Sequence, residues 1–158
     1  MLGTILTTVI AVLGTLAGAI VSGRYQRRSA EHAERVARGE ALRRDRLAAV
    51  TDLAAAISDH RTAMWVRGDA KLKGADPGCL ADLRSRSHQT RSAITRPLVA
   101  LRVLITDPVV RQAADAMVTA THALRGADTD TDALTRARQE ALASHDHFVD
   151  AAAAYLGE

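Results

Sequence analysis

Residues 2–22, LGTILTTVIAVLGTLAGAIVS, carry no charged side chain, and Gly23-Arg24-Tyr25-Gln26-Arg27-Arg28 follows at once. At about 1.5 Å of rise per residue, a run of this length crosses the ~30 Å hydrocarbon core of a bilayer as one helix. A cleaved signal peptide is the competing interpretation, and it needs a basic start and a shorter apolar stretch ahead of a small-residue cleavage site. No Lys or Arg precedes the run, three Arg follow it, and the small triplet Ala17-Gly18-Ala19 lies inside it. The pattern therefore predicts an uncleaved transmembrane helix over residues 2–22. Basic flanks stay on the cytoplasmic side. The expected topology is single-pass in the cell membrane, with the N-terminus outside and residues 24–158 cytoplasmic. The lipid bilayer is then the first partner, and Arg24, Arg27 and Arg28 form a basic clamp at its surface.

Within the span, Thr4, Thr7, Ala11, Gly14, Gly18 and Ser22 recur at three- and four-residue spacing. Small residues on one face let helix backbones approach closely in lipid, where no hydrophobic drive separates helix from solvent. Gly14 and Gly18 form a GxxxG pair, so the expectation is transmembrane helix packing through them into a homo-oligomer.

Residues 23–46 are polar almost all round. Glu31–Arg35, Glu34–Arg38 and Glu40–Arg44 are acid-first pairs four residues apart, the order that supports a helix. This segment predicts a basic, polar helical stalk. Ala30, Ala33, Ala37 and Ala41 give it a narrow seam. Without Leu or Ile at heptad positions, the seam supports only a weak coiled coil. Gly39 is the expected flexible point.

Helical periodicity resumes at Leu47 and continues through Val50, Leu53, Ala54, Ile57 and Met64. It dissolves at Arg67-Gly68-Asp69, and residues 67–79 are expected as loop. A second helix fits residues 80–105 through Leu83, Ile94, Leu98 and Leu101, with Pro97 expected to kink or split it. Thr106-Asp107-Pro108 is a restart signal, with Asp107 as cap and Pro108 in the first turn. The third helix then uses Val110, Ala113, Ala114, Met117, Ala120 and Leu124, and Gly126 ends it. The fourth starts near Thr131 and runs to Leu156 through Leu134, Ala137, Ala141, Phe148, Val149, Ala152 and Tyr155. No segment alternates with period two. The expected fold is all-α: an N-terminal transmembrane helix continuing into an antiparallel four-helix cytoplasmic bundle. Its parts are the span 2–22, the stalk 23–46 and the bundle domain 47–158.

Charge and composition add little chemistry to this frame. Residues 24–74 carry 12 basic and 7 acidic side chains, a net +5, and residues 75–158 carry 9 and 11, a net −2. The positive excess lies beside the span and permits weak, non-specific DNA contact, without the broad stripe and stacking aromatics of a dedicated interface. Cys79 is the only cysteine, which excludes an intrachain disulfide. Asp128, Asp130 and Asp132 alternate as in a calcium loop, but Ala133 and Gln139 stand where that loop needs Gly and Glu, so helix capping is expected. His145 and His147, two apart on a helix, do not share a metal and are expected on the surface. His60 and His122 stand isolated, and Trp65 closes the stripe that begins at Leu47 as a core-edge residue. No catalytic, cofactor-binding or metal-binding set can be assembled, so the chain is expected not to be an enzyme and to need no cofactor.

The VLGTLAGAIVSG span, the Tyr25-Gln26-Arg27-Arg28 junction and RDRLAAVTDLAAAISDHRTAMW after it resemble the KilB-type proteins of conjugative plasmids and integrated elements of Streptomyces. TRPLVALRVLITDPVVRQAADAM and LTRARQEALASHDHFVDAAAAYL are similar as well. The resemblance implies a non-enzymatic, membrane-associated assembly that helps a mobile element spread between mycelial compartments, with other plasmid transfer proteins as partners. It carries no functional residue with it. Two other readings stand beside it: a membrane-tethered regulatory or sensor module for a cytoplasmic partner, and a holin-like pore former.

Overall fold

The structure is a computed structural model that describes residues 2–157, with side chains described over residues 30–157. Gly14 and Gly18, the basic clamp Arg24, Arg27 and Arg28, and the side chains of the uncharged run lie outside that range. Four helices are described: α1 (Leu2–Leu72), α2 (Pro77–Leu104), α3 (Pro108–Ala123) and α4 (Thr131–Gly157), with a single 3-10 turn over Leu124–Gly126 after α3. No strand occurs among the described residues, and none of their helices is long and apolar enough to cross a membrane.

The chain divides into two compact units, residues 1–42 and residues 43–158. In the first, residues 31–40 are solvent-exposed and helical, through Gly39 as well. Glu34 and Arg38 form the expected ion pair at 2.9 Å. Glu31 and Arg35 do not, because the Arg35 guanidinium donates instead to the Glu31 backbone carbonyl at 3.2 Å.

The second unit is an up-down-up-down bundle. Arg46 Nε donates to the Leu104 carbonyl at 3.1 Å, and Arg43 donates to the Leu156 carbonyl at 3.1 Å. Residues 43–46 of α1 thus meet the C-terminal ends of α2 and α4. At the other end, Lys71 pairs with Asp128 at 3.1 Å, just ahead of α4. The turn from α2 to α3 is held by Arg111, whose Nε donates to the Ile105 carbonyl at 2.7 Å. Carbonyls at helix C-termini have no intrahelical partner, and each of these guanidinium groups satisfies one.

The apolar core lies in two tiers. The larger gathers Val50, Leu53 and Ile57 of α1, Leu101 of α2, Met117 of α3 and Phe148 of α4, among others. The smaller gathers Met64, Leu124, Leu134, Ala137 and Ala141. Between them along α1 and α3 lie the buried polar residues His60, Arg61 and Thr121, with Ser87 on α2.

Helix starts follow their sequence signals closely. Asp107 Oδ1 accepts from the Val110 N–H at 2.9 Å, with Pro108 in the first turn. Asp130 accepts from the Ala133 N–H at 2.8 Å and caps α4, which confirms capping at that position. The expected loop over residues 67–79 is corrected. Helix α1 runs on to Leu72, and α2 already begins at Pro77, where Asp76 Oδ1 accepts from the Gly78 and Cys79 N–H groups at 3.0 Å each. The left-handed residue in the short link is Gly74, at φ +71°. Gly68 sits in the helix because α4 needs it there: a Cβ on Gly68 would lie 2.9 Å from both methyls of the buried Leu134. Gly68→Ala gains about 1 kcal/mol in helix propensity but must displace Leu134 from a filled tier, at about 1–3 kcal/mol. Its expected outcome is net destabilisation of roughly 1 kcal/mol, read as a lower urea midpoint.

The split expected at Pro97 is a second correction: α2 runs unbroken through it. Proline removes the bond to the carbonyl four residues earlier, and that carbonyl belongs to Ala93, an exposed residue that water can serve. Ile94, Leu98 and Leu101 on either side pack into one tier. The apolar register also shifts at two places. Leu47 is 52% exposed while Ala49 is buried, and Val149 is 40% exposed beside the fully buried Phe148.

Candidate functional site

Two helical faces of the second unit carry polar residues where core would be expected. On α1, His60, Met64 and Arg67 are spaced i, i+4, i+7. On α2, Arg84, Ser87, His88 and Arg91 are spaced i, i+3, i+4, i+7. Each set lies on one face of its helix. His122 at the end of α3 and Arg125 in the following turn complete the lining of a cavity of about 360 Å³. The first half of α2 buries no apolar side chain, only Ser87. The cavity is the reason.

His60 is 2% exposed and lies at the back of this recess. Its Nδ1 is 3.0 Å from Thr90 Oγ1. Thr90 Oγ1 itself donates to the backbone carbonyls of Ser87 at 3.1 Å and Arg86 at 3.2 Å. Its proton is committed to them, so the hydrogen-bond network assigns the proton of the shared contact to His60 Nδ1. The His122 ring stands edge-on to His60, centroids 5.7 Å apart. Burial pushes the His60 pKa down to about 4, with His122 and Arg91 adding in the same direction. His122 is lowered too, by burial and then by Arg91. Both rings are neutral near pH 7, and the buried His122 Nε2 has no hydrogen-bond partner.

No Asp or Glu lines the cavity. Elsewhere in the bundle some arginines find partners: Arg102 pairs with Asp115 at 2.8 Å, and Arg138 stacks over Trp65 at 4.7 Å from the ring centroid. Arg67, Arg84, Arg91 and Arg125 have no hydrogen-bond or ion-pair partner among the described residues. The recess thus concentrates uncompensated positive charge around neutral donors and acceptors. It does not assemble a nucleophile. His60 donates to Thr90 instead of accepting its proton, so the hydroxyl is not activated.

His60 and His122, isolated in sequence, are therefore neighbours. The signal that could have found them is the interval 84–93, RSRSHQTRSA, a helical stretch without an aliphatic side chain larger than Ala. The other candidates stay apart. Cys79 is exposed in the first turn of α2. His147 is exposed, and His145 is half-buried with Nδ1 3.3 Å from Asp146. Asp128 pairs with Lys71, and Asp130 caps α4. Trp65 is half-buried against the smaller tier, the core-edge place expected for it. Among the described residues no group of three or more His, Cys, Asp or Glu is placed to hold a metal ion.

Fold and site define an all-helical bundle with a basic recess, a class that many proteins share. Comparison with known proteins narrows it. The family model of the KilB plasmid transfer protein matches residues 47–156, a segment that contains every residue of the recess. Protein KilB of Streptomyces lividans is 46% identical over 151 residues, covering 96% of this chain and 98% of that protein. The chain belongs to the KilB plasmid transfer protein family. No solved structure matches it.

Proposed function

We propose that this chain is a non-enzymatic, single-pass membrane protein that aids the intermycelial spread of a conjugative plasmid or integrated element. The observation that carries the reading is the near full-length similarity to a KilB protein, a family described as plasmid transfer proteins. The uncharged run over residues 2–22 and its Arg24, Arg27, Arg28 flank support insertion with the N-terminus outside and the bundle in the cytoplasm. Self-association through Gly14 and Gly18 would build the assembly in the membrane plane. Other transfer proteins would dock on the cytoplasmic part, with weak DNA contact from the basic stalk.

Deleting the gene from its element is expected to shrink the zone of spread in a recipient lawn while primary transfer stays near the parental level. Live hyphae should show a fluorescent fusion in septal or polar membrane foci, and crosslinking should give an oligomer ladder. Unchanged spread, or a soluble and diffuse fusion, would refute the proposal.

The basic recess favours a second reading, a membrane-tethered sensor module. Recovery of a defined signalling partner with the full chain, together with unaltered spread in the deletion strain, would select it.

A further inference from the structure

We infer that the recess between α1, α2 and the end of α3 is a binding site for a small phosphate-bearing anion of the pyrophosphate or nucleoside diphosphate class.

The first support is charge. Four guanidinium groups, Arg67, Arg84, Arg91 and Arg125, face one cavity with no carboxylate in its lining and no partner of their own among the described residues. Exposed arginines are ordinarily solvated or paired. At the opposite end of the bundle Arg43, Arg46 and Arg111 each satisfy a backbone carbonyl, and Arg102 an aspartate. Like charges held together without a counter-charge repel one another, and a bound anion relieves that repulsion. A guanidinium presents two parallel N–H groups that match two oxygens of one phosphoryl group. Four such forks suit two linked phosphoryl groups better than one carboxylate.

The second support is shape. A cavity of about 360 Å³ lies at the lower end of the range of ligand clefts, roughly 300–1,000 Å³. It admits a diphosphate with a small appendage and excludes duplex DNA, which meets proteins across its grooves and backbone instead of entering a pocket.

The third support is the inner wall. Ser87 and the imidazoles of His60 and His122 line the cavity beneath the arginines. Thr90 fixes the His60 ring, so the wall is formed before anything binds. Met64 gives the cavity an apolar side against which a ribose or similar appendage can rest.

This inference does not depend on the role in plasmid spread, because binding is read on the purified protein. Titration calorimetry of the full chain at constant ionic strength should show saturable binding of pyrophosphate and of ADP, tighter than inorganic phosphate and far tighter than sulfate or chloride. Arg84→Ala and Arg91→Ala should each weaken pyrophosphate by roughly tenfold or more, as expected for a charged hydrogen-bonding partner lost. Arg84→Lys, which keeps the charge and loses the fork, should recover only part of the affinity. Arg136→Ala, on the exposed side of α4, should leave it unchanged. Anionic-lipid vesicles and a short duplex serve as competing sources of phosphate. If pyrophosphate and ADP fail to saturate, or all variants bind alike, the site is overturned. If the duplex or the vesicles bind more tightly than pyrophosphate and lose binding in the same two variants, the small-ligand assignment is overturned in favour of that surface.

Discussion

The Phe148→Ala chain will unfold with a free energy about 3–5 kcal/mol below that of the parent, the range for a large aromatic deleted from a packed core. Phe148 is fully buried and is the largest side chain in the larger tier. The chain has four aromatic residues, and of the others Trp65 and Tyr155 are only half-buried. What surrounds Phe148 matters as much as its size. Ala113, Ala114 and Ala152 belong to the same tier, and alanines have no rotamer with which to fill a void. The cavity will stay open, so the loss should fall in the upper part of that range. Domains of this size are stable by about 5–15 kcal/mol, so the change removes about a quarter or more of the total. Chemical denaturation of the full chain, monitored by helical circular dichroism, should show a lower midpoint at an unchanged slope. Val149→Ala, one residue along and 40% exposed, should move stability by less than about 0.5 kcal/mol. A loss under about 1 kcal/mol at Phe148 would mean that the tier repacks.

Stability should also fall as pH drops from 6.5 to 4. His60 has its pKa lowered to about 4, against 6.5 when unfolded. Between those values the unfolded chain binds a proton at this position that the folded chain refuses, so the contribution is full above pH 6.5 and is lost on the way down to 4. The difference is worth on the order of 3 kcal/mol. His122 acts in the same sense. The cause is local and traceable. Burial on α1, His122 on α3 and Arg91 on α2 all oppose a charged imidazole. Below pH 4 the folded form also takes up the proton and this slope ends. Urea midpoints taken at half-unit steps should follow that course, and His60→Gln, which keeps a donor for Thr90, should flatten it. A midpoint that stays constant from pH 7 to 4.5 in the parent chain would contradict the assignment.

The helices were legible wherever a signal was local. Asp107-Pro108 and the start at Thr131 each need only a side chain and the backbone beside it, and both stand where the sequence puts them. The errors fall where a distant residue decides. Gly68 reads as a helix breaker until Leu134 of α4 is placed against it. Pro97 reads as a break until Ile94 and Leu101 are seen to share a tier across it. The recess was hidden for the same reason. His60, Arg91 and His122 belong to three helices, and their proximity is set by how those helices pair, which no spacing along one of them encodes. Only the gap in apolar pattern between Leu83 and Ile94 recorded that something other than core belonged there.

The polar layer at His60, Arg61, Ser87 and Thr121 has a further consequence. It separates an apolar tier of thirteen buried residues from one of five. Native proteins open in parts, and the part with the least buried apolar surface opens at the lowest free energy. The far end of the bundle, from Met64 to the turns at Gly74 and Asp128, is therefore a separate unit of local unfolding. It can melt and re-form many times within the lifetime of a folded chain, while the end nearest Arg43 stays closed. Three arginines of the recess, Arg67, Arg84 and Arg125, stand on the melting side of that boundary and Arg91 on the lasting side. Anything that ties them together makes the two parts breathe as one.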